Sequence, residues 1–289
     1  GCHNLTNIPN FNTNNVKDMR SMFGYCYNLT TVPNFNTNNV TSMSGMFSKC
    51  YNLTTVPNFN TSNVTNMYEM FDECSSLTTV PNFNTINVIN MYDMFSGCYN
   101  LINIPNFDTS KVTSMYSMFG MGNVASFVNH DFNFLTEVPN FDTSNVTNMS
   151  SMFSGGLNIT TIPNFNTSKV TNMSNMFHSC DNLKIVPKFD MSNVTNTSNM
   201  FYTCRALVNV PEFNLINVIN ATNMFYLYWS GTFNTINLTQ SSINNIVASC
   251  ANAINVTNKS FANIGIFNTI LRGYIQNAPR YSAAVANGW

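Results

Sequence analysis

The chain has 289 residues and a formal net charge of −1, and only 8% of its residues are charged. Soluble domains average roughly 25% charged residues, so the polarity here comes mainly from Asn, Thr and Ser. Acids and bases are scattered, without the basic stripe expected of a nucleic-acid-binding protein. No apolar run reaches the roughly 18 residues of a membrane-spanning helix, so we expect neither nucleic acid as a partner nor a membrane span.

A 24-residue repeat occupies most of the chain, and a proline marks each copy. The repeat prolines are Pro9, Pro33, Pro57, Pro81 and Pro105, followed by Pro139, Pro163, Pro187 and Pro211. Repeats of this length are typical of solenoids, in which each unit buries its apolar face against its neighbours. One elongated body is therefore expected.

Each repeat predicts two short strands and a helical turn. In the third copy the first strand ends at the proline, residues 57–63 are turn formers, and residues 63–67 contain the β-branched residues of a second strand. Met67, Met70 and Phe71 then follow the i, i+3, i+4 spacing of one helical face. The sequence predicts a β-rich solenoid of about nine such coils.

Equivalent positions of stacked coils form rows. Two rows of Phe and two rows of Met predict the core. A further row alternates Asn and Asp, as in Asn60 and Asp108, which favours a turn-capping acceptor over a charge-dependent site. Seven of the eight cysteines share one row: Cys2, Cys26, Cys50, Cys74, Cys98, Cys180 and Cys204.

The cysteine row predicts buried free thiols. Side chains of one row point the same way, which makes a disulfide torsion awkward, and metal ligands must converge from several directions. We expect no metal and no cofactor. The three histidines, His3, His130 and His178, lie in different repeats, and no phosphate-binding, dinucleotide or metalloprotease motif is present. The chain is therefore not expected to be an enzyme.

Residues 53–74, LTTVPNFNTSNVTNMYEMFDEC, resemble the BspA-type leucine-rich repeat of bacterial surface proteins. They are most similar to the Asn/Thr-rich branch found in mycoplasma lipoproteins, with its pattern V-T-x-M-x-x-M-F-x-x-C. The resemblance implies a secreted or cell-surface protein for adhesion or recognition and supplies no catalytic residues. Related repeats occur in gut bacteriophage proteins. A wall-anchoring signal is missing.

An insertion interrupts the repeat at residues 121–132. Insertions in solenoids form loops on one face, often the binding face. Phe127, His130, Asp131 and Phe132 are candidates for a recognition tip. Alternatively, the insertion is a bulge whose aromatic rings pack on the neighbouring coils.

Tyr68, Tyr92 and Tyr116 occupy one position in three successive repeats, where other repeats have residues such as Arg20 or Ser44. This variety predicts an exposed row. Exposed tyrosines suit contacts with carbohydrate or protein, although packing between neighbouring surface side chains explains them equally well.

The repeat fades after residue 228, so we assign residues 1–228 to the solenoid and 229–289 to a small α/β capping region. The cap is expected to contain strands at 233–238 and 260–267. Its first helix would follow an N-cap at Thr239 or Ser241 and bury Ile243, Ile246, Val247 and Cys250. A second helix is expected at 279–286. This tail resembles the closing segment of the same family and would cover the last sheet edge.

The first residues already lie within a repeat and lack a polar cap, which suggests a fragment, a processed product or an incompletely defined chain. The leading hypothesis is an extracellular scaffold that recognises host protein, glycan or another cell. The alternative is a structural or receptor-binding component of a virion or another extracellular assembly. Other copies could associate through the uncapped N-terminal end.

Overall fold

The computed structural model describes residues 1–122, 135–227, 237–257, 259 and 275–289. The chain divides into two compact units, Gly1–Val146 and Thr147–Trp289. Within the described ranges, the helices with both ends defined are α1 (Gln240–Asn252) and α2 (Tyr281–Ala286), and residues 275–276 are also helical. The boundary expected at residue 228 lies outside the described residues.

Parallel bridges between equivalent residues stack the coils within each unit. One row joins Asp18, Ser42, Asn66, Asn90 and Ser114, a second joins Asn148, Asn172, Asn196 and Asn220, and a third joins Thr161, Ile185 and Asn209. Successive bridging residues are 24 positions apart, which confirms the repeat and its stacking. Throughout the described ranges these bridges are isolated, so the predicted short strands are reduced to single residues. Each bridge has turns before and after it, so neighbouring coils pair at one residue and not along a longer strand.

The segment predicted as a helical turn has a different backbone conformation, in which N–H groups alternate between two kinds of partner. Met70 N–H donates to the carbonyl of Met67, three residues earlier, at 3.2 Å. Phe71 N–H instead donates to the carbonyl of Met94 in the next coil, at 3.0 Å. An α-helix would direct both groups to carbonyls four residues earlier. The helix prediction is wrong, although Met67, Met70 and Phe71 do form one buried face.

Left-handed residues maintain this alternation at two positions of most coils. Glu69 and Glu73 have φ angles of 53° and 55°, and their N–H groups donate to the carbonyls of Tyr92 and Ser96 in the next coil. This conformation costs a residue other than glycine roughly 1–2 kcal/mol. Bonds between coils offset that cost. In the next coil Gly97 replaces Glu73, with φ of 70°.

The phenylalanine and methionine rows form the core, as predicted. Rings of adjacent coils stack nearly in parallel: Phe71 and Phe95 have centroids 5.7 Å apart and an interplanar angle of 3°. Phe11, in the first coil, is an exception at 42% exposed. Met22, in the same coil, is also exposed.

Side chains of the Asn/Asp row accept hydrogen bonds within their own turns. Asn60 Oδ1 accepts from the N–H of Ser62 at 3.1 Å, and Asp108 Oδ1 accepts from the N–H of Ser110 at 3.0 Å. Amide and carboxylate make the same contact, so the predicted turn-capping role is confirmed.

A row of buried threonines adds side-chain bonds between coils. Thr61 is 1% exposed, and its Oγ1 donates to the carbonyl of Asn84 in the next coil at 2.8 Å. Five other threonines donate in the same way: Thr13, Thr37, Thr85, Thr109 and Thr167.

The cysteines are free thiols, and those of the repeat row are buried except Cys2. Cys2 is exposed because it lies in the first coil. The buried thiols do more than fill space, since Cys74 Sγ donates to the carbonyl of Phe47 at 3.1 Å. Four others make the equivalent bond: Cys50, Cys98, Cys180 and Cys204.

Helix α1 begins where the sequence predicts. The Thr239 side chain caps it by accepting from the N–H of Ser242. The four apolar residues expected on the buried face are buried: Ile243, Ile246, Val247 and Cys250. Helix α2 begins two residues after Pro279, and the two helices pack together. The strand expected at 260–267 lies outside the described residues, as does most of the one expected at 233–238.

Serines of α1 bind the backbone of the last repeat. Ser242 Oγ donates to the carbonyl of Val208 at 2.8 Å and accepts from the N–H of Val210 at 3.0 Å. Ser249 Oγ accepts from the N–H of Phe213 at 2.9 Å. These backbone groups would be unpaired at the edge of the stack without α1.

The exposure of the thiols predicts their reactivity. At pH 8 the native chain should react with a thiol reagent at Cys2 alone, because burial raises the pKa of Cys50 to about 12 and raises that of Cys98 further. All eight thiols should react in denaturant. Mass spectrometry of the labelled chain identifies the sites, and fast native labelling of any buried row member would contradict the packing described above.

Replacing Thr61 with Val tests the threonine row. The substitution keeps the shape but removes the donor to Asn84, and we expect a loss of about 1 kcal/mol in the free energy of unfolding. Thr65→Val is the matched control, because Thr65 is exposed and its Oγ1 donates to the carbonyl of Thr41 only over a longer distance, 3.3 Å. Surface substitutions of this kind change stability by roughly 0.5 kcal/mol or less. Urea denaturation measures both, and equal effects would refute the assigned role.

Candidate functional site

The tyrosine row is a continuous stack. The ring centroids of Tyr68 and Tyr92 are 4.9 Å apart with the planes tilted by 35°, and those of Tyr92 and Tyr116 are 4.5 Å apart at 18°. All three tyrosines are half-buried. The structure therefore brings together the three tyrosines that the sequence singled out.

Backbone bonds on both sides of each tyrosine fix the stack. The N–H of Tyr68 donates to Asn66 Oδ1 at 3.0 Å, and that of Tyr92 donates to Asn90 Oδ1 at 3.0 Å. The carbonyl of Tyr92 accepts from the N–H of Glu69 in the preceding coil at 2.9 Å. Because the rings are attached to this ladder, their spacing follows the spacing of the coils.

The row is less exposed than the sequence suggested. Ser44 is 8% exposed and Ser150 is 2% exposed, so the small members of the row lie below the surface. A tyrosine reaches solvent only because its side chain is longer. The presence of serine in this row therefore does not mean that the position is fully exposed, because the backbone and Cβ there are largely covered.

Four carboxylates, Glu69, Asp72, Glu73 and Asp93, lie beside the stack, and we call them the acidic cluster. Burial, followed by the charges of Glu73, Asp93 and Glu69, raises the pKa of Asp72 to about 7. Burial likewise raises the pKa of Asp93 to about 6. Burial and the nearby charge of Asp93 raise the pKa of Tyr92 to about 12.

One cation partly balances this charge. Lys49 Nζ lies 2.9 Å from Glu73 Oε1, in a pair whose side chains are 24% and 12% exposed. Tyr51 donates its hydroxyl to Glu73 Oε2 at 3.3 Å. Glu73 is thus engaged by two partners.

A groove of about 570 Å³ opens beside Tyr68, on the side away from Tyr92. Its walls come from three successive coils: Asp18, Arg20 and Ser21 from the first, Ser44 and Gly45 from the second, and Tyr68 and Glu69 from the third. Arg20 Nε donates to Asp18 Oδ2 at 2.8 Å, while Arg20 NH2 lies 2.7 Å from the same oxygen. The groove places one aromatic ring among polar groups.

Two further aromatic stacks were missed by the sequence reasoning. His3, Tyr27 and Tyr51 stack with centroids 4.5 and 5.0 Å apart. In the second unit His178 stacks on Tyr202 at 4.9 Å, and Tyr202 stacks on Tyr226 at 4.8 Å. The signal was present, since each set recurs every 24 residues.

The histidine of the second stack has a serine neighbour. Ser179 Oγ lies 3.0 Å from His178 Nδ1 and 3.0 Å from Thr203 Oγ1 in the next coil. Burial lowers the pKa of His178. Through these two contacts, Ser179 links neighbouring coils.

The other candidate residues, Phe127, His130, Asp131 and Phe132, lie outside the described residues. Within the described ranges, no group of three His, Cys, Asp or Glu side chains is arranged to hold a metal ion. None of the helices described here is long and apolar enough to cross a membrane.

Three overlapping segments, residues 2–101, 53–132 and 121–239, match the family described as "Mycoplasma protein of unknown function, DUF285". Together they span most of the chain. The comparison with curated proteins gives no match.

Solved leucine-rich repeat proteins resemble the chain. One from Bacteroides ovatus ATCC 8483 is 19% identical over 76% of this chain, with a TM-score of 0.33. One from Eubacterium ventriosum ATCC 27560 is 14% identical over 76% of this chain and 84% of its own length, with a TM-score of 0.35. A leucine rich cell surface protein from Faecalibacterium prausnitzii A2-165 is 17% identical over 67% of this chain and 69% of its own, with a TM-score of 0.28. The chain spans 63% of the Bacteroides protein. With TM-scores this low, no functional conclusion follows from these likenesses.

Replacing Asp72 with Asn tests the electrostatics beside the stack. An unfolded aspartate titrates near 3.8, so between about pH 4 and 7 the folded chain retains a proton that the unfolded chain has released. Stability then falls as the pH rises. Asp72→Asn should reduce this slope and raise the free energy of unfolding at pH 8, on the order of 1 kcal/mol because solvent screens the partly exposed group.

Asp108→Asn is the matched control. Hydrogen bonds from Ser110 lower the pKa of Asp108, so this change should leave the slope between pH 4 and 7 unaltered. Urea denaturation across this pH range measures both variants. An unchanged slope in Asp72→Asn would show that the carboxylate is ionised throughout.

Proposed function

We propose, given that the chain belongs to the DUF285 family, that it is a non-enzymatic repeat scaffold for recognition at an extracellular or cell surface. Its partner would be a host protein, a glycan or the surface of another cell. The extracellular placement follows the resemblance of its repeat to those of bacterial surface proteins. Binding, rather than chemistry, is the activity that the arrangement of residues supports.

The tyrosine stack is the observation that carries the proposal. Tyr68, Tyr92 and Tyr116 are held on a hydrogen-bonded ladder, so little side-chain freedom remains to be lost on binding. Aromatic rings in a fixed arrangement supply a large contact area at low entropic cost. Tyrosine is also enriched among the residues that dominate binding energy.

Many polar side chains of the described coils already bond to neighbouring coils, which supports the non-enzymatic assignment. Thr61 and Cys74 donate to backbone carbonyls of neighbouring coils. Asn63 donates from its side-chain amide to the carbonyl of Asn38 at 2.8 Å. A catalytic group needs a reacting atom within its own hydrogen-bonding reach, and these groups are directed into the scaffold.

The insertion at 121–132 remains a second candidate contact region within the same proposal. Its aromatic and polar residues, Phe127, His130, Asp131 and Phe132, follow directly after the coil that carries Tyr116. Both regions would then belong to one recognition surface.

Replacing all three tyrosines with Ser tests the proposal. Serine occupies the same row at residues 44, 150, 174 and 198, so the backbone should tolerate the change. The purified chain is screened on glycan and matrix-protein arrays, and the affinity for each hit is measured by calorimetry. The triple variant should bind at least about tenfold more weakly, since each lost aromatic contact typically costs 1 kcal/mol or more.

Two comparisons make this test decisive. Tyr202→Ser combined with Tyr226→Ser removes the stack of the second unit and should leave the affinity within about twofold. Deletion of residues 121–132 measures the share of the insertion. If the triple tyrosine variant retains full affinity for every hit while its melting temperature is unchanged, the stack is not the recognition surface.

A further inference from the structure

The tyrosine stack stops abruptly at Tyr68. Tyr92 covers one side of the Tyr68 ring at a centroid distance of 4.9 Å. On the other side the row continues with Ser44, which is too short to supply a ring and is 8% exposed. The groove begins at this step, and one side of the Tyr68 ring borders it.

Above Ser44, the row leaves a space between Tyr68 and Arg20, which we call the gap. The position of Arg20 sets its height. Arg20 stands two coils from Tyr68, and at roughly 4.8 Å per coil their backbones are separated by about 10 Å. Stacked rings in this row are 4.5 to 4.9 Å apart. The space above Ser44 therefore has the height of one ring between the Tyr68 and Arg20 positions of the row.

Gly45 keeps this gap open beside Ser44. It adopts φ of 59°, and a Cβ added there would lie 3.1 Å from Ser21 Oγ. The same row carries larger residues elsewhere, including Glu69 and Asp93 in the next two coils. Gly45 is the one member of this row without a side chain, so only backbone atoms lie at the base of the gap there.

The remaining walls carry hydrogen-bonding groups of both kinds. Arg20 offers guanidinium N–H donors and Asp18 offers carboxylate oxygens, and the two hold each other through a paired contact. Ser21 adds a hydroxyl, and Glu69 adds a carboxylate. Apart from the Tyr68 ring, no wall of the groove is an apolar side chain.

We propose that the gap between Tyr68 and Arg20 binds one pyranose ring of a neutral saccharide. The C–H face of the sugar would stack on Tyr68, because the negative face of an aromatic ring attracts partly positive C–H groups. Its hydroxyls would bond to Asp18, Arg20 and Glu69, since a hydroxyl both donates and accepts. This deepens the proposed function and rests on it by specifying the partner.

The lining disfavours the competing ligands. An aromatic side chain of a protein partner would gain the Tyr68 face but would make no hydrogen bonds to the Arg20 guanidinium or to the carboxylates of Asp18 and Glu69. An anionic ligand would meet both of these carboxylates. A sugar satisfies the ring and the polar walls together, and a groove of about 570 Å³ falls within the usual size of small-molecule sites.

Two substitutions test the site from opposite directions. Tyr68→Ser removes the stacking face. Ser44→Tyr extends the stack by one ring and fills the gap with the chain's own side chain, on a backbone that accepts tyrosine in the next three coils. Tyr202→Ser is the control, because it removes a ring from the stack of the second unit and changes no residue that lines the groove.

The probes are the methyl glycosides of glucose, galactose, mannose and N-acetylglucosamine, together with an array of neutral oligosaccharides. Binding to the full chain is measured by saturation-transfer NMR and calorimetry. Tyr68→Ser and Ser44→Tyr should each weaken binding at least tenfold, while Tyr202→Ser changes it less than twofold. Melting temperatures establish that each variant folds, and Tyr68→Ser decides the result if Ser44→Tyr does not fold.

The outcomes separate this inference from the broader proposal. Absence of saccharide binding, or saccharide binding that survives Tyr68→Ser, overturns the inference. If the chain binds a protein through its tyrosines but binds no sugar, the recognition function stands and the saccharide site is wrong. If neither class of partner depends on the tyrosines, both proposals fail.

Discussion

Backbone hydrogen bonds from one coil to the next set the register on which the other features depend. Phe71 donates to Met94, and Glu69 donates to Tyr92. Each bond joins residues 23 positions apart, so every side-chain type repeats at a fixed spacing. Left-handed residues such as Glu69 make the arrangement possible, because they turn the N–H toward the neighbouring coil. Phe, Met, Thr and Cys rows then follow from one geometric constraint.

The same constraint decides which residues are left for function. Side chains that bond between coils, including Thr61, Asn63 and Cys74, are committed to the scaffold. Positions that vary between coils are those where the ladder does not specify a side chain. The row of Arg20, Ser44 and Tyr68 is one of them, and its unevenness produces both the tyrosine stack and the groove beside it.

The sequence predicted burial and spacing better than it predicted conformation. Met67, Met70 and Phe71 were correctly assigned to the core, yet their spacing indicated a helix that does not form. Helical periodicity and a turn ladder place the same three residues on one face, so the pattern cannot distinguish them. The tyrosine stack was foreseen from its position in the repeat. The His178 stack was missed because its members are different residue types.

The sequence by itself determined the 24-residue period, the core rows, the free thiols and helix α1, since each depends on side-chain type and local spacing. Only the tertiary structure decided the hydrogen-bond partners, the partial burial of the tyrosine row and the raised pKa of Asp72. Those properties arise between residues that are one or two coils apart. They depend on how far the backbones are separated and how much solvent remains, which no single repeat specifies.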